Sequence, residues 1–236
     1  MKNERILGAA ALSALLLIFS AAPAAAQEIR YSWLDISFLG QDIDRTGVQV
    51  PLPGQSVEVI GSDGDGIRFR GSLGTWKNLY LFMSYASTDI DVDAIITNSQ
   101  GVFETSDEFD FTDIRSGLGL RFSLSHKTDL FAEVSYDSTD FDFGSFAGEN
   151  FDTDAQEIGA ALGIRTLFGD HFELKVQGRY SNTGNIDLNT LEFDSDTLFS
   201  VGFAWELVRG FSIVGDYESG EFSNYALGFR LDLDED

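Results

Sequence analysis

Cysteine is absent from the 236-residue chain, which excludes a disulfide framework and any cysteine-based metal site. Basic residues are scarce. Fifteen Lys and Arg stand against 39 Asp and Glu, for a formal charge of −24. That balance excludes nucleic acid as a partner, because phosphate binding needs clustered Lys and Arg. Only two histidines occur, His126 and His171, so proton transfer near neutral pH has few carriers. Beyond residue 20 no apolar run approaches the ~20 residues of a membrane helix. Any membrane crossing therefore has to be made by strands. With only 3 Pro and an aromatic content of 13%, the chain has the apolar surface that a disordered acidic polypeptide lacks.

The first residues have the three parts of a secretory signal. Met1–Arg5 is a short charged start, Ile6–Ser20 is apolar, and Ala24-Ala25-Ala26 supplies small residues before Gln27. Residues 1–26 are read as a signal peptide and 27–236 as one domain. Removing Lys2, Glu4 and Arg5, together +1, leaves the remainder at −25.

From Trp33 onward one unit recurs: an alternating stretch, an aromatic residue, then acidic residues. It runs from Trp33–Phe38 to Asp44, Leu79–Tyr85 to Asp91, Leu130–Tyr136 to Asp142, and Leu174–Tyr180 to Asp187. A shorter version, Phe211–Tyr217, ends at Glu218. Alternation at period two marks strands with two unlike faces, and the shared register marks a repeated structural unit. Five further alternating stretches lie between: Asp65–Trp76, Phe109–Leu124, Asp154–Leu167, Asp196–Leu207 and Ser223–Leu233. Tight connections (Lys77-Asn78, Ser125–Thr128, Phe168–His171, Val208–Gly210) join strands at one end. Those at the other end are mostly longer and polar, as in Gly40–Gly64 and Val92–Glu108. The pattern predicts an all-β, antiparallel up-and-down barrel of ten strands, with eight as the alternative count.

The two faces differ in chemistry. One carries Leu79, Leu81, Met83 and Tyr85; Leu118, Leu120, Phe122 and Leu124; Ile158, Ala160, Leu162 and Ile164; Phe199, Val201, Phe203 and Trp205; and Tyr225–Leu233 at alternate positions. It is almost free of charge, as contact with hydrocarbon requires. The other gathers Arg68, Arg70, Arg115, Arg121, Arg165, Lys175, Arg179 and Arg230 with Asp35, Glu133, Glu157 and Asp216, and several glycines. These residues form the predicted lumen charge network, in which pairing offsets the cost of burying charge. Tyr85, Tyr136, Tyr180, Tyr217 and Trp205 are the predicted aromatic girdle. The alternative, a soluble β-sandwich or lipocalin-like barrel, would bury the apolar face and expose the arginines.

These features resemble the small outer-membrane β-barrels, the porin-like proteins with OmpA- and OmpX-type domains, over essentially the whole of residues 27–236. Gly228-Phe229-Arg230-Leu231-Asp232-Leu233 is similar to their terminal insertion signal. The resemblance implies a cell outer-membrane location, with short turns in the periplasm and long connections outside. It also implies lipid and lipopolysaccharide as partners and a monomer. Enzymatic barrels of this kind rely on an external histidine, whereas His126 and His171 fall in the tight turns, so no catalysis and no cofactor are expected. The acidic run Asp89, Asp91, Asp93 is a weak candidate for divalent cations, since hard cations take oxygen ligands. A solvated, self-repelling rim is the blander reading. Two functions follow: a structural or surface-interaction barrel whose lumen charges neutralise each other, or a narrow pore for small solutes whose lumen charges tune selectivity.

Overall fold

The computed structural model describes residues 29–43, 48–52, 55–146, 149–181, 196–219 and 222–233. The proposed signal peptide, the acidic end of the fourth repeat at Asp187 and the Asp234-Glu235-Asp236 tail lie outside the described residues. The strands are β1 (Trp33–Ile43), β2 (Val48–Leu52), β3 (Gln55–Trp76), β4 (Leu79–Asn98), β5 (Gly101–Ser125), β6 (Thr128–Phe146), β7 (Glu149–Phe168), β8 (Phe172–Ser181), β9 (Asp196–Val208), β10 (Phe211–Ser219) and β11 (Phe222–Asp232).

From β3 to β11 each strand pairs antiparallel with the next. The ring closes through β1, where Ile36 lies opposite Phe229 of β11 on one side and Phe69 of β3 on the other. β2 pairs with the far part of β3, Val50 opposite Val57, beyond the reach of β1. The barrel therefore has ten strands, and β2 continues the first hairpin past it. Closure removes the free sheet edges that an open sheet of this size would present.

Tight turns form where the expected connections lie, at Lys77-Asn78, His126-Lys127, 169–171 and Arg209-Gly210. Gly169 and Gly210 take left-handed backbone there (φ 67° and 78°), where a side chain would strain the turn. The opposite end differs from expectation. Val92–Glu108 is no loop: β4 runs on to Asn98 and β5 resumes at Gly101. The alternation through Asp89-Ile90-Asp91-Val92-Asp93 does not stop at the acidic residues, and neither does the ladder, which continues to Asn98↔Gly101. At ~3.3 Å per residue, the 20 residues of β4 outrun the ~9–11 that a bilayer crossing takes. In the Gly40–Gly64 segment, β2 and the far part of β3 pair in the same way.

Burial is inverted relative to a water-soluble protein. The outer wall leaves Phe38 76%, Leu162 59%, Leu227 59% and Trp205 55% exposed, while Arg165 and Arg179 are each 5% exposed inside. The soluble-sandwich alternative fails on this point, because its apolar face would be covered. Inside, large rings sit where the facing strand offers glycine. The Tyr80 ring lies against Gly119, and Phe131 against Gly163, so a Cβ at either glycine would overlap the ring.

Candidate functional site

Each lumen residue occupies the inward position of its strand's alternation, so the pleat alone brings cations and carboxylates of different strands face to face. Asp216 of β10 accepts from Arg68 (2.6 Å) and Arg70 (2.9 Å) of β3. Arg70 also donates through Nε to Asp35 of β1 at 3.0 Å. Asp35 is shared with Arg230 at 3.4 Å, and Arg230 lies 3.7 Å from Glu173. Glu173 in turn is held by Arg165 through both oxygens, at 2.7 and 2.8 Å. Arg68, Asp216, Arg70, Asp35, Arg230, Glu173 and Arg165 thus form one relay of alternating sign across the interior.

A second cluster lies nearer the long-strand end. Arg179 donates to Asp137, which also faces Arg115 at 3.5 Å. Glu157 stands directly across the ladder from Asp137. Glu133 accepts from the Tyr80 hydroxyl at 2.7 Å, and the Lys175 ammonium rests 4.8 Å from the centre of the Phe131 ring. Arg121 is set apart from both clusters. It reaches the turn end, donating to the Lys77 carbonyl at 2.8 Å.

Sequence reading missed what closes that end. Residues Ile29–Ser32 enter the barrel mouth ahead of β1, burying Ile29 and Tyr31. The Tyr31 ring is clamped between the guanidiniums of Arg121 and Arg165, each 4.5 Å from its centre, and packs on Tyr80 at 4.8 Å. The Leu233 amide donates to the Ser32 carbonyl (2.8 Å) and the Gly74 amide to the Ser32 hydroxyl (3.2 Å). Arg165 donates to the Arg30 carbonyl at 3.2 Å, and Arg30 pairs with Asp232 at 2.8 Å. A cavity of about 220 Å³ lies in the upper lumen and one of about 520 Å³ at the turn-end mouth. Arg165, Glu173 and Arg230 line both, so the relay and the inserted segment stand between them. The rings at Tyr80 and Phe131, opposite glycines, carried a readable signal. Irregular Ile29–Ser32 carried none.

On the outer wall, Tyr85, Tyr136, Tyr180 and Tyr217 are all exposed at the long-strand level. Trp205 lies near the turn end, opposite Phe172, so the aromatic residues form two levels. Asp89 and Asp91 lie above Tyr85, pointing outward and exposed. Asp89 stands directly between Asp65 and Asp110, and Asp91 between Asp63 and Glu108. Directly opposed like charges repel, and among the described residues no group of three such side chains is arranged to hold a metal ion. His126 lies in a turn, and His171 in another, with Nδ1 3.3 Å from Glu206.

Residues 11–206 match the model of the outer membrane protein beta-barrel domain. The chain belongs to that family. No curated protein matches the sequence of this outer-membrane barrel. Similar solved structures include the outer membrane protein OprG from Pseudomonas aeruginosa, 12% identical over 89% of this chain and 100% of that one, with a TM-score of 0.42. The translocator domain of the autotransporter NalP from Neisseria meningitidis is also 12% identical, over 98% and 96%, with a TM-score of 0.44. Ail, the attachment invasion locus protein of Yersinia pestis, is 12% identical over 85% and 99%, with a TM-score of 0.41. The barrel resides in the outer membrane, and in bacterial barrels of this type the tight turns face the periplasm and the long connections the exterior.

Proposed function

We propose that this barrel works with its lumen closed, as a structural and surface-interaction element that presents an acidic β-ribbon outside the cell. The observation that carries this reading is the relay from Arg68 to Arg165, backed by Tyr31 between two guanidiniums. Small barrels are filled by side chains, and here the arginines and carboxylates of the relay pair across the interior, which offsets the cost of burying them. The exterior half supports the second part of the reading. From Asp89 to Asp110 there are seven acidic residues and no Lys or Arg, a surface suited to bridging by divalent cations to anionic lipopolysaccharide. The protein acts as a monomer, without cofactor or catalysis, and without nucleic acid. Cleavage after Ala26 belongs to the same proposal.

The second reading, a narrow pore for small solutes, is favoured by the two cavities on either side of Arg165 and Glu173. Purified protein in planar bilayers separates the two. Closed-lumen function predicts no steady single-channel openings, and stable ion-selective openings in the wild type would replace it with the pore.

A further inference from the structure

Barrel closure uses up most of the strand edges, but not the far part of β5. β5 is paired with β6 only as far as Asp110↔Asp142, while its pairing with β4 goes on to Asn98↔Gly101. Between Gly101 and Asp110 the two ribbons part, and the Val102–Ser106 stretch has β4 on one side and no described strand on the other. The ladder fixes which amides face the open side. The Arg121 amide donates to the Asn78 carbonyl of the β4 side at 2.9 Å, and the β4–β5 register runs from Leu79↔Leu120 to Asn98↔Gly101 without a shift. Odd-numbered amides of β5 therefore point to β4. In an antiparallel pair the intervening residues direct N–H and C=O away from the partner. Val102, Glu104 and Ser106 thus present their backbone groups to the open side. Val102 (65%) and Phe103 (49%) are also exposed.

We propose that this edge takes up an extended, cationic segment of another polypeptide, which adds as a strand beside β5. Unpaired backbone groups on a strand edge template such addition, and charge selects the occupant. Glu104, Asp107, Glu108 and Asp110 lie on this stretch, and the adjoining ladder already sets Asp91 against Glu108 and Asp89 against Asp110. A second copy of the chain would lay carboxylates on carboxylates, which directly opposed cross-strand positions disfavour. A strand with Lys or Arg at alternate positions relieves the same repulsion. The outer edge of the other flank, β2, is interrupted by Pro51, which has no N–H to give; proline is a common means of blunting an edge. β5 has no proline there.

This inference deepens the surface-interaction reading, but its test measures no conductance, so either can fail alone. Full-length protein folded in detergent micelles is titrated with a fluorescent peptide of alternating lysine and valine. Two controls accompany it: the glutamate–valine counterpart, and the lysine peptide N-methylated at every second amide, which keeps its charge and loses edge hydrogen bonds. The lysine peptide should bind saturably, and each control at least about tenfold more weakly. Glu104→Pro and Ser106→Pro remove amides that serve only the open side, so the β4–β5 ladder is kept. Each should weaken binding by about the same factor while the heat-modifiable gel shift of the folded barrel persists. Equal binding of the N-methylated peptide would reduce the effect to charge adsorption and overturn the proposal, as would no binding at all or full binding to folded proline variants. If the variants fail to fold, the peptide comparison on wild-type protein decides alone.

Discussion

Replacing Tyr31 by alanine should unseat the segment that closes the periplasmic mouth. The side chain is 2% exposed, and truncating a buried ring of this size removes about 3–5 kcal/mol of packing. Part of that sum is the pair of guanidinium contacts at 4.5 Å, each contributing roughly 0.5–2 kcal/mol. The backbone anchors at Ser32 and Arg30 remain, so the segment is loosened rather than released. At ~1.4 kcal/mol per factor of ten, the ratio of unseated to seated states should rise at least about 10²-fold. The assay is single-channel recording in planar bilayers. Wild-type protein should be silent, and Tyr31→Ala should give small, brief openings as the mouth cavity joins the lumen. Tyr31→Phe is the discriminating control. Among the described residues the buried hydroxyl has no hydrogen-bond partner, so its loss should leave the barrel as silent as the wild type. A folded Tyr31→Ala barrel that stays silent would refute the assignment of Ile29–Ser32 as the closure.

Three further outcomes are expected. Asp137→Asn leaves Arg179 and Arg115 short of a counter-charge; breaking a buried pair from one side costs about 3–5 kcal/mol, so the variant should lose its heat-modifiable folded band at a markedly lower temperature. Gly119→Val forces a Cβ into the Tyr80 ring and should destabilise the barrel by about 1–3 kcal/mol. Adding Tyr80→Ala should then cost less than the two single changes together, as read by urea unfolding in micelles. In the exposed β7–β8 turn, the hydrogen bond and charge of Lys127 hold the Asp170 carboxyl below its ordinary 3.8. A depressed carboxyl favours the paired state above its ordinary value and loses that contribution as pH falls through the folded value. NMR titration of Asp170 should place its midpoint below 3.8, returning toward 3.8 in Lys127→Ala.

The fold was legible because the barrel obeys a single rule, alternation, and the charges obey it too. Arg68, Arg70, Asp35 and Asp216 fall on one parity of their strands, and closure then leaves them nowhere to meet except inside. The tight turns were equally plain, with Gly169 and Gly210 where a left-handed residue is needed. Val92–Glu108 departs from the loop that its acidic residues suggest, because Ile90 and Val92 keep the strand period and β4 runs on to Asn98. Which carboxylate pairs with which arginine depends on register across non-adjacent strands, and no local pattern encodes that. Tyr31 was invisible for a related reason: it precedes the first strand, and its partners Arg121 and Arg165 lie some 90 and 134 positions along the chain.

The orientation of alternate side chains underlies everything else and can be measured directly. Because the chain has no cysteine, single cysteines carrying nitroxide labels can be placed one at a time from Glu157 to Arg165 of β7 in lipid bilayers. Collision with dissolved oxygen should be high at 158, 160, 162 and 164 and low at the odd-numbered positions, a period of two with lipid on the even side. High oxygen access on the odd side, or a period near 3.6, would contradict the structure and with it the closed, charge-filled lumen.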